Sequence, residues 1–110
     1  MRTLEDLFKE HQLFAEEKFP DSTWESSLKG LRREIKECEK EGKRLSKNPD
    51  LDQSSEEWGI EYVDCFMYLL DSMARAGFTI DDLKEFFQEK LNINNDRNWK
   101  KNSNNTYSHI

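Results

Sequence analysis

Ser55-Glu56-Glu57-Trp58-Gly59-Ile60-Glu61-Tyr62-Val63-Asp64-Cys65-Phe66-Met67-Tyr68-Leu69-Leu70-Asp71-Ser72-Met73-Ala74-Arg75-Ala76, followed by Gly77, is the stretch whose reading decides the fold. A serine at its head, Ser54 or Ser55, can accept from the unpaired first-turn N–H groups, and a glycine at its foot supplies the left-handed stop, so the stretch reads as one helix. Its apolar residues, from Trp58 and Tyr62 to Leu70 and Met73, cover roughly 200° of the helical wheel, where packing on one side needs only about 100°. Such a helix wants cover on two sides. A chain of 110 residues can hardly supply that from within, which predicts a homo-oligomer, dimer or tetramer, with this helix at its centre.

The neighbouring segments read as three more helices. Leu4, Leu7, Phe8, His11, Phe14 and Ala15 recur at helical spacing over about residues 3–18, behind a Thr3 cap. Phe19-Pro20-Asp21 ends that helix, because proline disfavours helix in the residue before it. Ser22-x-x-Glu25 reads as the capping box of a second helix with the stripe Trp24, Leu28, Leu31, Ile35 and Cys38, fraying near Gly42 to Lys47. A polar loop with turn chemistry spans Asn48 to Ser55. After Gly77, Thr79-x-x-Asp82 opens a fourth helix with Leu83, Phe86, Phe87 and Leu91 as its stripe. The expected domain is 1–99, with an Asn-rich tail at 100–110 read as disordered. The fold class is all-α, a four-helix bundle.

Composition agrees and excludes other classes. There is a single valine, which argues against a β-sandwich or parallel sheet. Charged residues make up 36% of the chain and the net charge is −6, a poor basis for binding a nucleic-acid polymer or an anionic membrane. No apolar run is long enough to span a bilayer and the first residues lack a signal-peptide pattern, so the expected location is cytoplasmic. Cys38 and Cys65 form no CxxC and read as free thiols.

The acids are distributed unevenly. Between Asn48 and Ala74 there is no lysine or arginine, yet Asp50, Asp52, Glu56, Glu57, Glu61, Asp64 and Asp71 all fall there. Glu57, Glu61, Asp64 and Asp71 form a stripe on the third helix together with Tyr68, and Glu34, Glu37 and Glu41 form another on the second. On the second helix the surrounding Arg32, Arg33, Lys36 and Lys40 make an ordinary solvated face a fair reading. Glu61 and Asp64 differ, because apolar residues flank both. Two unit charges 4 Å apart at an effective dielectric of ~20 repel by ~4 kcal/mol. A partly buried cluster therefore needs raised pKa values or a cation. Carboxylates without histidine or cysteine suit a hard ion, Mg²⁺ or Mn²⁺, and disfavour zinc.

Glu34-x-x-Glu37 and Glu61-x-x-Asp64 on consecutive helices resemble the signature of the MazG-like all-α nucleoside triphosphate pyrophosphohydrolases. Lys90-x-x-x-Asn94-x-x-Arg97-x-Trp99 resembles the closing motif of the small dATP/dGTP pyrophosphohydrolase-like branch, so the resemblance covers about residues 4–99. It implies hydrolysis of a nucleoside triphosphate, by branch a purine deoxynucleotide, to monophosphate and pyrophosphate. By position, Glu34, Glu37, Glu61 and Asp64 would hold Mg²⁺, with Mn²⁺ as a substitute, and Glu37 or Glu34 would orient or deprotonate the attacking water. Lys90, Asn94 and Arg97 would bind the triphosphate. Trp99 would stack on a base or pin the tail, and His11 and Phe14 are possible base-pocket residues. The rival reading is a non-catalytic helical interaction or nucleotide-sensing module whose acidic stripe meets a basic partner.

Overall fold

A computed structural model describes residues 1–110, which divide into two compact units, Met1–Thr79 and Ile80–Ile110. The first unit holds α1 (Leu4–Lys18), α2 (Trp24–Ser46) and α3 (Glu56–Arg75); the second holds α4 (Ile80–Asp96), β1 (Trp99–Lys101) and β2 (Tyr107–His109). The all-α reading holds for the four helices, to which a short antiparallel hairpin is added.

Local chemistry sets the helix ends. Thr3 Oγ1 accepts from the Asp6 amide and the Asp6 carboxylate accepts from the Thr3 amide, each at 3.0 Å. At α2 the capping box is Thr23 with Ser26, not Ser22 with Glu25. The reason lies in the preceding turn: the Ser22 N–H is already donated to the Phe19 carbonyl at 3.1 Å. The chain turns extended only at Thr23. Ser55 caps α3 by accepting from the Trp58 amide. After α3, Gly77 takes φ 98° and lets the Phe78 amide reach back to the Met73 carbonyl at 3.0 Å.

The first unit is built around α3, which packs along α2 and against α1. Small residues let α2 and α3 approach closely. Ser27 and Gly30 of α2 are buried, as is Ser72 of α3, whose hydroxyl donates to the Trp24 carbonyl at 2.9 Å. Further along, α2 continues as helix to Ser46 rather than fraying at Gly42. The indole of Trp58 lies against Gly42, where a Cβ would stand 2.9 Å from Cζ2, and its Nε1 donates to the Cys38 carbonyl at 3.1 Å. The polar loop after α2 is tied by Gln53, whose Nε2 donates to the carbonyls of Leu45, Asn48 and Leu51.

Asp71 and Arg75 join all three helices of this unit. Asp71 is buried, accepts from Ser27 Oγ at 2.6 Å and pairs with Arg75 Nε at 3.2 Å. Arg75 in turn donates to the Ala15 and Phe19 carbonyls at 2.9 and 3.0 Å, satisfying groups at the end of α1. Asp71 therefore leaves the acid stripe read from the sequence and serves as a structural counter-ion.

In the second unit, Trp99 pairs with His109, Lys100 with Ser108 and Lys101 with Tyr107. The segment expected as a disordered tail is thus a hairpin. Its asparagines are turn residues rather than a mark of disorder: Asn105 has φ 65°, and the Asn104 carboxamide oxygen accepts from both the amide and the hydroxyl of Thr106. No helix is long and apolar enough to cross a membrane.

Candidate active site

The α2–α3 packing brings acids from two separate sequence motifs together. Glu34 from α2 and Glu61 and Asp64 from α3 each present a carboxylate oxygen, and these atoms lie within 4.8 Å of one another. All three residues are half-buried. Glu61 and Asp64 share a face because residues three apart on a helix are neighbours, and Glu34 meets them through the Ser27–Gly30 contact zone one turn earlier.

This assembly has an electrostatic signature. The Glu61 carboxyl is pushed above its ordinary value, first by loss of water and then by the negative charges of Asp64, Glu34, Glu37 and Glu41. The Cys65 thiol is pushed up by burial first, then by Cys38 and by the charges of Glu34, Asp64 and Glu61, which favours its protonated form. Glu37, one turn beyond Glu34, is exposed and stands outside the tight group, although its charge is felt at Glu61. Glu41 is occupied elsewhere: Arg44 donates to both its oxygens and lowers its pKa.

An apolar cavity of about 320 Å³ adjoins the cluster, and Asp64 lines both. His11, Phe14, Phe19, Met67 and Tyr68 supply its larger lining side chains. Phe14 and Phe19 meet edge-on at 5.8 Å between ring centres. His11 Nε2 lies 3.0 Å from the Met67 carbonyl, which can only accept, so Nε2 carries a hydrogen and, in the neutral ring, Nδ1 is an acceptor. His11 and Phe14, taken from the sequence as candidate pocket residues, thus line one cavity beside the acids.

Lys90, Asn94, Arg97 and Trp99 lie in the second unit, the first three on one face of α4 and its end. The indole Nε1 of Trp99 donates to the Asn94 carbonyl at 3.1 Å and its ring meets His109 edge-on at 6.5 Å. Of the two roles considered for Trp99, the geometry favours pinning the hairpin to the helix end. Asn94 Oδ1 is buried and has no hydrogen-bond partner.

Sequence reasoning did not single out Arg33 and Gly30. Tyr68 rests directly on Gly30, where an added Cβ would stand 2.2 Å from its Cε1. A glycine inside a helix costs about 1 kcal/mol relative to alanine, so its presence mid-helix was the available sign of a close approach.

The donor set suits a hard divalent cation. Ligand oxygens ~2.0–2.6 Å from one ion lie at most ~4–5 Å apart, which the observed spacing meets. Helices that gather acids beside an apolar cavity can hold such an ion next to an organic ligand. The solved MazG-like pyrophosphohydrolase of cyanophage S-2L, bound to dGDP and three catalytic Mn²⁺ ions per active site, has the same fold at TM-score 0.74, with 24% identity over 100% of this chain and 99% of that one. The family model of dATP/dGTP pyrophosphohydrolase matches residues 7–110, and the chain belongs to that family. No curated protein matches it.

Proposed function

We propose that this hydrolase cleaves a purine deoxynucleoside triphosphate between its α- and β-phosphates, with Mg²⁺ as the natural ion and Mn²⁺ as a substitute. The observation that carries this reading is the convergence of Glu34, Glu61 and Asp64 to within 4.8 Å beside a cavity that shares Asp64. The phage protein of the same fold is bound to dGDP and Mn²⁺, which supports both a purine and a divalent ion here. Bound by these carboxylates, the ion would neutralise phosphate charge and make the α-phosphorus and the attacking water more reactive.

The chain's own groups supply the rest. The cavity, at the small end of the usual range for ligand sites, takes the base against Phe14 and Phe19 and offers His11 Nδ1 to an amino group. Glu37, outside the tight cluster, accepts a proton from the attacking water. The water oxygen bonds to the α-phosphorus as its bond to the bridging oxygen breaks, and pyrophosphate leaves. Lys90 and Arg97 serve the polyphosphate. The orphaned Asn94 Oδ1 is an acceptor and suits a sugar hydroxyl better than a phosphate oxygen.

The active form is a homo-oligomer, a dimer or tetramer. On α3, Ile60, Val63, Phe66 and Leu69 remain exposed, while the buried apolar core is only Ala15, Cys38 and Leu45. A cytoplasmic nucleotide-pool enzyme is the setting this chemistry fits.

The variants Glu61→Gln and Asp64→Asn test the reading. Partners of metal ligands are themselves worth about 10–100-fold, so loss of a direct ligand should lower turnover by more than ~100-fold. The helical circular dichroism should persist, and the rise in melting temperature on adding Mg²⁺ should vanish. Variants that keep full turnover would place the metal elsewhere.

A further inference from the structure

One cation stands at the rim of the carboxylate cluster in the same unit. Arg33 Nη2 donates to the Tyr68 hydroxyl at 2.6 Å and lies 3.6 Å from Glu34 Oε1, with the guanidinium carbon 5.6 Å from the Tyr68 ring centre. The distance to Glu34 is too long for a hydrogen bond, so the directed contact is to tyrosine. Tyr68 itself is fixed. Its ring fills the space that the missing Gly30 side chain leaves open, one helical turn before Glu34, and it stands one turn after Asp64 on α3. Tyr68 also lines the cavity that Asp64 shares with the cluster.

An exposed arginine normally loses much side-chain entropy when it binds an anion. Here the side chain is 65% exposed yet already held through one Nη2 hydrogen, with the second Nη2 hydrogen and those of Nε and Nη1 uncommitted to protein groups. A planar fork presented this way matches a phosphate group in two-point geometry, which a lysine cannot reproduce. Neutralising Glu34 does not account for the arrangement, because an ion pair alone would draw the guanidinium onto the carboxylate instead of onto a neutral phenol.

We infer that Arg33, held by Tyr68 over Gly30, is a substrate-binding residue that takes a phosphate oxygen of the nucleotide at the edge of the carboxylate cluster. This rests on the proposed triphosphate chemistry.

The test uses the full chain with Arg33→Met, Arg33→Lys and Tyr68→Phe, and titrates α,β-methylene dATP in Mg²⁺ by calorimetry. Charged hydrogen bonds to phosphate of this type predict an affinity loss of roughly 10- to 100-fold for Arg33→Met. Arg33→Lys should recover part of that loss, and Tyr68→Phe should show a smaller loss in the same direction. Mn²⁺ affinity without nucleotide, followed by electron paramagnetic resonance, should stay within about twofold of wild type. Equal analogue binding by wild type and Arg33→Met overturns the assignment alone. A parallel fall in Mn²⁺ affinity also overturns it, by making Arg33 a support for Glu34. A wild-type protein that binds no analogue overturns the proposed reaction and this assignment together.

Discussion

At Glu61 partial burial and the charges of Asp64, Glu34, Glu37 and Glu41 all act in one direction, against ionisation. In the unfolded chain the same carboxyl titrates at its ordinary, lower value. Below that value both states hold the proton and the group adds nothing to stability. As pH rises through the raised folded value, the folded state must ionise at a disadvantage, so the contribution becomes destabilising and remains so at neutral pH. In EDTA, Glu61→Gln should therefore melt near wild type at acid pH and above it at pH 8. A lower melting temperature for the variant at pH 8 would show that the glutamate is stabilising and the cluster is not a strained ion site. At the same scale, Gly30→Ala should displace Tyr68, since a Cβ 2.2 Å from an aromatic carbon cannot be accommodated without movement. Near-ultraviolet circular dichroism would report the shifted tyrosine, and an unchanged spectrum would contradict the close packing.

The elements that matter most are α2 and α3, and Asp71 with Arg75 is where their geometry is most exposed to test. The two side chains are only 10% and 14% exposed. Breaking one partner of such a pair leaves an uncompensated charge and costs about 3 kcal/mol or more. Arg75→Met should lower unfolding stability by about that amount in a denaturant titration, and a change below about 1 kcal/mol would mean that the pair is not buried in solution. The sequence made the helices themselves legible, because helical spacing and caps are local signals: Thr3, Ser55 and Gly77 all act where expected. What it left open is set by contacts between elements. Asp71 belonged by spacing to the acid stripe, and only the arrival of Ser27 from α2 and the α1 carbonyls on Arg75 shows it to be structural. Ser22 lost the cap of α2 to Thr23 because a turn bond had already taken its amide. The hairpin was missed because asparagine-rich composition serves both disorder and tight turns, and pairing across Trp99 and His109 is not visible in either strand alone.

For the whole molecule, the charge imbalance and the exposed apolar surface are the properties that need explaining. Residues 1–89 carry 13 bases against 22 acids, and residues 90–110 carry 4 against 1. In the proposed reading, the first excess holds cations and the second meets phosphate. The exposed face of α3 calls for a second copy of the chain: sedimentation at micromolar concentration should give a multiple of 13.2 kDa. Phe66→Asp should shift it toward the single chain. A 13 kDa wild-type species would remove the oligomer. The acids of the site were legible as candidates from their pairing and the absence of bases. Their selection into one tight group, with Glu37 left outside, required the α2–α3 approach through Ser27 and Gly30. The most direct test of the central claim is phosphorus NMR of the purified protein with dATP or dGTP and Mg²⁺. Equal amounts of the deoxynucleoside monophosphate and pyrophosphate are expected, with loss of both in EDTA. Inorganic phosphate with the diphosphate, or no product from any deoxynucleoside triphosphate, would contradict it.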